Sequence, residues 1–237
     1  MHSFGINSSY NPPMQELTLI QKIITWAVPV LFAITVHEVA HGWVALRYGD
    51  STAKMAGRLT LNPFKHVDPV GTVLVPGLLL AMGGFLFGWA KPVPVNFANL
   101  NHPKRDMIYV ALAGPGANLV MAFIWGLVGF AAQFLPGYAA LPLLFMSVAG
   151  LYINTILMLV NLIPVPPLDG GRVAVGLLPL SLAQPYSKLE PYGLFIMLGL
   201  LATGMLGKIL ILPLSAFLSF MASLFSIPVF GLVQYIT

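Results

Sequence analysis

Long apolar segments with almost no charged side chains set the strongest limit on how this chain can fold. Of its 237 residues, 58% are hydrophobic and 8% are charged, and the mean hydropathy is +0.87. Each of four segments is long enough for one or two membrane-spanning helices, namely residues 17–36, 107–134, 141–163 and 192–235. Because a backbone in lipid must satisfy its own hydrogen bonds, we expect an all-α, polytopic transmembrane helix bundle of about five to six spans.

Cysteine content and net charge exclude several classes of function. The chain contains no cysteine and has a formal net charge of +4. Without cysteine there is no disulfide, no thiol nucleophile and no cysteine-bound zinc, so a metal must be bound by His and carboxylate side chains. The small positive charge is explained by the bias of Lys and Arg toward cytoplasmic loops. We therefore expect a lipid bilayer around the protein and no nucleic-acid partner.

One motif, His37-Glu38-Val39-Ala40-His41, places three polar side chains at the end of the first apolar segment. In a helix, His37 and His41 lie one turn apart on the same face, so both imidazoles can bind one Zn²⁺. Glu38 between them is then the candidate general base, which takes a proton from water. The alternative for two buried histidines is a hydrogen bond from each to a backbone carbonyl.

Two histidines leave a catalytic zinc site one protein ligand short, and few carboxylates remain in the chain. Asp169 lies within residues 161–172, where three prolines and a glycine pair interrupt an apolar helix. Irregular backbone at membrane depth is tolerated where it is buried in protein or lines a water-filled cavity, and a carboxylate there is expected to be functional. Asp169 is therefore the candidate third ligand, and an ion pair with Arg172 is the alternative.

The motifs together resemble those of the site-2 protease family of intramembrane zinc metalloproteases. The resemblance spans residues 37–172 and comprises HEVAH, the later NLIPVPPLDGG and, between them, a Gly-x-x-x-Asn pair at Gly114 and Asn118. It implies the compact branch of the family, without PDZ or CBS domains. The implied activity is that of a zinc-dependent endopeptidase that cleaves membrane-protein substrates in or near a transmembrane segment, as in regulated intramembrane proteolysis.

The resemblance also implies roles for individual residues around one zinc ion. It supports Asp169 as the third ligand beside the two histidines, and it implies that the amide of Asn161 donates to the oxyanion of the tetrahedral intermediate. An interhelical hydrogen bond is the alternative for Asn161. Gly114 is interpreted as a close-packing position, and Asn118 as a residue that orders the substrate groove or a helix contact.

Loop charges suggest the topology of the central part of the chain. One basic cluster lies at 47–65 and a second at 91–105. If both are cytoplasmic, residues 66–90 enter and leave on the same side, so we expect a re-entrant hairpin there rather than a full span. The active site is then expected nearer the cytoplasmic side, in what we interpret as a prokaryotic cell membrane.

Two segments beside this hairpin alternate at the period of a strand. Residues 57–63 and 91–97 are therefore predicted to form a small membrane-associated β-hairpin, with two loop segments as the alternative. Its second strand would lie at an edge, because its prolines cannot donate to a ladder, and Pro94 and Val95 could pair there with an unwound substrate. Residues 1–16 are predicted to be a flexible tail, and residues 17–237 a single protease domain.

Two other functions fit part of the sequence. A metal or proton transporter would explain polar residues within the membrane, but not Glu38 between paired histidines. A catalytically silent protein that binds membrane partners would keep the fold, but the motif retains both its base and its ligands. Cleavage products distinguish a protease from a binder, and metal flux distinguishes it from a transporter.

Overall fold

A computed structural model of the chain describes residues 17–74 and 91–236, and this part is helical without strands. Its α-helices are α1 Leu19–Arg47, α2 Thr52–Met55, α3 Pro103–Ala132, α4 Gly137–Asn161, α5 Asp169–Leu177, α6 Leu180–Ser187, α7 Gly193–Ala202, α8 Met205–Phe225 and α9 Val229–Ile236. The predicted tail, 1–16, lies outside the described residues, as does most of the predicted re-entrant hairpin, 66–90. The described start of that hairpin includes a π-helical turn, Pro69–Leu74.

Four helices of the described part, α1, α3, α4 and α8, are long and apolar enough to cross a membrane. The prediction of five to six spans was therefore wrong. Apolar composition over 192–235 suggested up to two spans, but Gly204, with φ of 68°, separates α7 from α8. Helix α7 has 10 residues, a length of about 15 Å, which is half of a hydrocarbon core.

The predicted β-hairpin was also wrong. Residues 57–62 and 91–96 are irregular, and each segment runs into a short 3₁₀ turn, Pro63–Lys65 and Phe97–Asn99, capped by the preceding asparagine. The two segments are joined by a side chain instead of a ladder, because Arg58 Nη2 donates to the carbonyl of Lys91 at 2.8 Å. Alternation in the sequence therefore reflects extended loop backbone.

Small residues allow the long helices to approach closely and form the core. A Cβ on Gly150 of α4 would overlap the Trp125 ring of α3, and one on Gly126 would overlap the ring of Phe225. Close packing at small residues is a common way for helices to associate in membranes. The main buried cluster of the described part joins α3, α4, α8 and α9 and includes Ala122, Val148, Leu151, Leu218, Met221 and Val229. Helix α1 packs on α3 and α4, and its Trp26 contacts this core.

Candidate metal centre and active site

Three potential ligand atoms converge where α1 meets the start of α5. The Nε2 atoms of His37 and His41 are 3.0 Å apart, and Asp169 Oδ2 lies 3.3 Å from each of them. The three side chains are between 9% and 13% exposed. This is the one group of the described residues in which three such side chains could hold a metal ion.

The spacing of these atoms fits zinc. Tetrahedral Zn²⁺ with ligand distances of about 2.0–2.1 Å requires neighbouring ligand atoms about 3.3 Å apart. Asp169 Oδ2 is also a buried oxygen that accepts no hydrogen bond within the described part of the chain. A buried carboxylate oxygen without a donor is costly unless a cation compensates it, so the donor set and its geometry both suit a metal ion.

The second nitrogen of each imidazole binds to helix α3. His41 Nδ1 lies 2.7 Å from the carbonyl oxygen of Val110, and His37 Nδ1 lies 2.5 Å from Asn118 Oδ1. A backbone carbonyl can only accept, so His41 Nδ1 carries the proton and Nε2 presents its lone pair to the metal position. The alternative that the sequence left open for a buried histidine, a hydrogen bond to a backbone carbonyl, is thus present at His41. It is made by the nitrogen that faces away from Asp169.

The Gly-x-x-x-Asn pair of α3 faces these two rings. A Cβ on Gly114 would lie 2.5 Å from His37 Nε2 and would collide with His41 Nε2, so only glycine leaves room for both imidazoles. One turn later, Asn118 is fully buried, and its Nδ2 donates to the carbonyl of Ala33 at 3.3 Å and to Asn154 Oδ1 at 2.9 Å. Asn118 therefore contacts a candidate ligand directly.

A sharp fold of the backbone brings Asp169 to the two histidines. Helix α4 ends at Asn161, and irregular backbone leads to α5, which begins at Asp169. Gly170 and Gly171 lie against this irregular segment, and a Cβ on either would overlap backbone atoms of residues 162–166. The glycine pair thus allows the start of α5 to pack directly on the preceding loop.

Arg172 does not neutralise Asp169. Its Nη2 lies 3.1 Å from Glu190 Oε1, and its guanidinium lies 4.8 Å above the ring of Phe97. The ion pair between Asp169 and Arg172 that the sequence left open is therefore not formed, and the carboxylate faces the histidines alone.

Glu38 is held by the backbone of the segment that was predicted to be an edge strand. Its Oε2 accepts from the N–H of Val93 at 2.7 Å. The Val93 side chain is buried against α1, where a Cβ on Gly42 would lie 2.8 Å from its Cγ1. We call residues 91–99 the strap. Pro94 and Val95, its predicted substrate-contacting residues, follow Val93 and are half-buried.

The strap is fixed at its far end by Asp50. This buried carboxylate accepts from the Asn96 N–H at 2.8 Å, from Asn99 Nδ2 at 3.1 Å and from the backbone and hydroxyl of Thr52. Burial acts to raise the pKa of Asp50, but these hydrogen bonds together outweigh it and hold the pKa below its ordinary value. Asp50 is therefore a structural anion at the end of α1.

Asn161 is half-buried at the last residue of α4, and its Nδ2 donates to the carbonyl of Leu157 at 2.9 Å. The bond that the structure gives this amide thus stays within its own helix. Sequence reasoning missed three groups near the site: the Val93 N–H, the Val110 carbonyl and Asn154. The first two belong to the backbone and leave no sequence signal. Asn154 does leave one, because an isolated amide in an apolar segment is costly unless it is paired.

Known proteins with a similar sequence carry the names of zinc metalloproteases. The zinc metalloprotease YwhC of Bacillus subtilis (strain 168), a provisional designation, is 38% identical over 195 residues, which cover 79% of this chain and 84% of YwhC. Rip2 proteins, also provisionally named zinc metalloproteases, are 34% identical over 143 residues in Mycolicibacterium smegmatis and over 142 residues in Mycobacterium tuberculosis. These alignments cover 59% of this chain and 52% of each Rip2 protein. No family model and no solved structure matches the chain.

The match to YwhC extends over most of both chains and agrees with the ligand group between α1 and α5. The predicted zinc cofactor and the predicted membrane metalloprotease class are thereby confirmed. With its apolar helices and the potential metal-ligand group among its described residues, the chain belongs to the site-2 protease family of zinc metalloproteases.

Proposed function

We propose that the protein is an intramembrane endopeptidase that hydrolyses a peptide bond in or near the transmembrane segment of a membrane-protein substrate. The observation that carries the proposal is the convergence of His37, His41 and Asp169 beside Glu38, within a bundle of apolar helices. In this proposal the three converging side chains hold the zinc ion. When bound, zinc supplies Lewis acidity, which lowers the pKa of water and polarises the scissile carbonyl.

Glu38 is the proposed general base. The Val93 N–H occupies one lone pair of Oε2 and orients the carboxylate, so Oε1 is available to take a proton. Glu38 removes a proton from water as the water oxygen attacks the scissile carbonyl carbon. It returns that proton to the amine nitrogen as the carbon–nitrogen bond breaks, which leaves a free carboxylate ready for the next cycle.

Asn161 is the proposed donor to the oxyanion. A carboxamide has two N–H groups, and the bond to the Leu157 carbonyl uses one of them. The second can donate to the negative oxygen of the tetrahedral intermediate; loss of one such donor costs about 3–4 kcal/mol in a serine protease. Its place at the end of α4, eight residues before Asp169, supports this role.

The substrate must present an extended segment to the site. A helical peptide bond is covered by side chains, and its carbonyl is already hydrogen-bonded, so a transmembrane substrate has to unwind locally. We propose that Pro94 and Val95 of the strap contact this extended segment, because they follow the residue that holds Glu38. The ligand side chains keep 9–13% of their surface exposed, which gives water a route to the site.

We further propose that residues 17–237 form one protease domain in a prokaryotic cell membrane, with the site nearer the cytoplasm. The relatives named above are bacterial, which supports a prokaryotic membrane. Arg47 ends α1 only six residues after His41, a distance of about 9 Å along the helix, and further basic residues follow it. Because Lys and Arg favour cytoplasmic loops, this end of α1 is assigned to the cytoplasmic side.

Substitution of the proposed base tests this function. Glu38→Gln keeps the shape of the side chain but cannot take a proton, so we expect zinc to be retained and cleavage to be lost. The membrane proteome of cells that produce the wild type is compared with that of cells that produce Glu38→Gln, with Glu190→Gln as the matched control. Fragments that persist with Glu38→Gln would refute the base. If wild-type cells yield no fragments, the silent binder is favoured, and zinc flux into liposomes would favour the transporter.

A further inference from the structure

The Nδ1 atom of His37 is hydrogen-bonded to a buried pair of amide side chains, and these hydrogen bonds link three helices. Asn118 on α3 faces His37 on α1, and Asn154 on α4 faces Asn118, with a distance of 2.9 Å from Asn118 Nδ2 to Asn154 Oδ1. Both asparagines are fully buried. We call Asn118 and Asn154 the amide relay. Polar side chains at such depth are expensive in a membrane protein unless they serve packing or function.

Two backbone carbonyls fix the direction of every hydrogen bond in the relay. Asn154 Nδ2 lies 2.8 Å from the carbonyl oxygen of Gly150, which can only accept, so the NH₂ end of Asn154 faces Gly150. Its Oδ1 must then face Asn118. The carbonyl of Ala33, 3.3 Å from Asn118 Nδ2, likewise requires the NH₂ end of Asn118 on that side. Asn118 Oδ1 is therefore left to face His37.

The consequence reaches the metal position. Since Asn118 Oδ1 is an acceptor, His37 Nδ1 must carry the proton, and His37 Nε2 presents its lone pair toward Asp169. If the Asn118 amide rotated by a half turn, its NH₂ end would meet the protonated Nδ1. The imidazole would then have to turn or change tautomer. The bond from Asn118 to Asn154 opposes that rotation.

We infer that Asn154 on α4 is a positioning residue for the zinc site, acting through Asn118 to hold the orientation and tautomer of His37. This inference rests on the proposed ligand set. It links the helix that ends at the proposed oxyanion donor, Asn161, to the helix that carries the HEVAH motif. The side-chain hydrogen bonds of Asn154 go to Asn118 and Gly150, and not to one of the proposed zinc ligands.

The variant Asn154→Thr tests the relay with little disturbance of α4. A threonine at 154 can bond to the Gly150 carbonyl as Thr155 Oγ1 bonds to the Leu151 carbonyl, at 2.6 Å, but it no longer reaches Asn118. Thr155→Val is the matched control, because Thr155 is equally buried on the same helix and bonds only within it. Asn154→Ala serves as the second variant if the threonine disturbs folding.

The measurement is the zinc dissociation constant of the full chain in detergent, by competition with a chelator, alongside the melting temperature of the metal-free protein. Loss of a partner of a metal-bound His costs about 10- to 100-fold in affinity, so we expect this for Asn118→Ala. For Asn154→Thr, one bond further away, we expect a loss of roughly 3- to 10-fold. Thr155→Val should bind as the wild type does.

A double variant separates positioning from general destabilisation. If Asn154 acts through Asn118, the double variant Asn118→Ala/Asn154→Thr binds zinc as weakly as Asn118→Ala alone, since non-additivity reports coupling. Losses that add in full would overturn the inference, as would wild-type affinity in a folded Asn154→Thr or Asn154→Ala. A wild-type chain that binds no zinc would instead refute the proposed ligand set.

Discussion

Gly114 is a position at which the addition of one methyl group should strongly weaken zinc binding. In Gly114→Ala the new Cβ would lie 2.5 Å from His37 Nε2, whereas ordinary contact begins at 3.4 Å, so this ring must retreat by about 0.9 Å. The His41 ring is crowded even more. Both rings are tied on their far side, to Asn118 and to the Val110 carbonyl, which limits how far they can move.

The expected loss of zinc affinity follows from how little the zinc–ligand distances can vary. Zinc ligand distances vary by about 0.2 Å, so a displacement of 0.9 Å breaks at least one ligand contact or forces α1 and α3 apart. Overpacking of a well-packed interior costs about 1–3 kcal/mol, which corresponds to a zinc affinity about 5- to 150-fold weaker. Helix propensity acts in the opposite direction, because Ala is favoured over Gly in a helix by roughly 1 kcal/mol. Metal-free protein should therefore remain folded.

Gly116→Ala provides the matched control, because it lies two residues away on the same helix and a Cβ there meets no atom within 4 Å. Zinc stoichiometry by elemental analysis and zinc affinity by chelator competition are measured for the wild type and both variants in detergent. Gly116→Ala should behave as the wild type does. If Gly114→Ala binds zinc as tightly as Gly116→Ala, the crowding of the two imidazoles is not real and the proposed site geometry fails.

Three further predictions concern the ligand carboxylate and the strap. Asp169→Ala should lower zinc from one ion per chain toward none, whereas Glu190→Ala should leave it unchanged, as elemental analysis of both purified variants will show. Asp50→Ala frees the far end of the strap, so we expect peptidase activity to fall about tenfold or more while zinc binding persists; equal loss of zinc would contradict this. Because the folded-state pKa of Asp50 is lowered, its contribution to stability is complete above about pH 4 and is lost as pH falls through the folded pKa. The melting temperature of Asp50→Asn should therefore lie below that of the wild type at neutral pH, and this difference should shrink below about pH 4.

The ligand group could be predicted from the sequence because its chemistry leaves few alternatives. His37 and His41 are one helical turn apart in an apolar segment, and Asp169 is an acid within an interrupted helix. Helical periodicity and the high cost of isolated polar groups in a membrane are strong constraints, so the sequence could bring together residues that are distant along the chain and that converge in the structure. The direction of the His41 imidazole, by contrast, depends on the Val110 carbonyl and could not be predicted.

The two wrong predictions, the β-hairpin and the number of spans, depended on weaker physical signals. Alternation over 57–63 and 91–97 is shared by strands and by extended loops, and the bond from Arg58 to Lys91 that decides between them is specific to the tertiary structure. Mean hydropathy over 192–235 reports the composition of the segment and not whether its helix is continuous. Two residues with positive φ, Gly204 and Ser226, divide this segment without lowering its mean hydropathy appreciably.

The separation of the ligands along the chain has a consequence for biosynthesis. His41 and Asp169 are 128 residues apart, so at about 5–20 residues per second the ribosome reaches Asp169 roughly 6 to 26 s after the HEVAH motif. During that interval the nascent chain has two of the three proposed ligands and lacks the carboxylate of Asp169. On the proposed ligand set, the zinc site is thus incomplete while the first helices enter the membrane among other newly made proteins, and it is completed only when Asp169 reaches the two histidines.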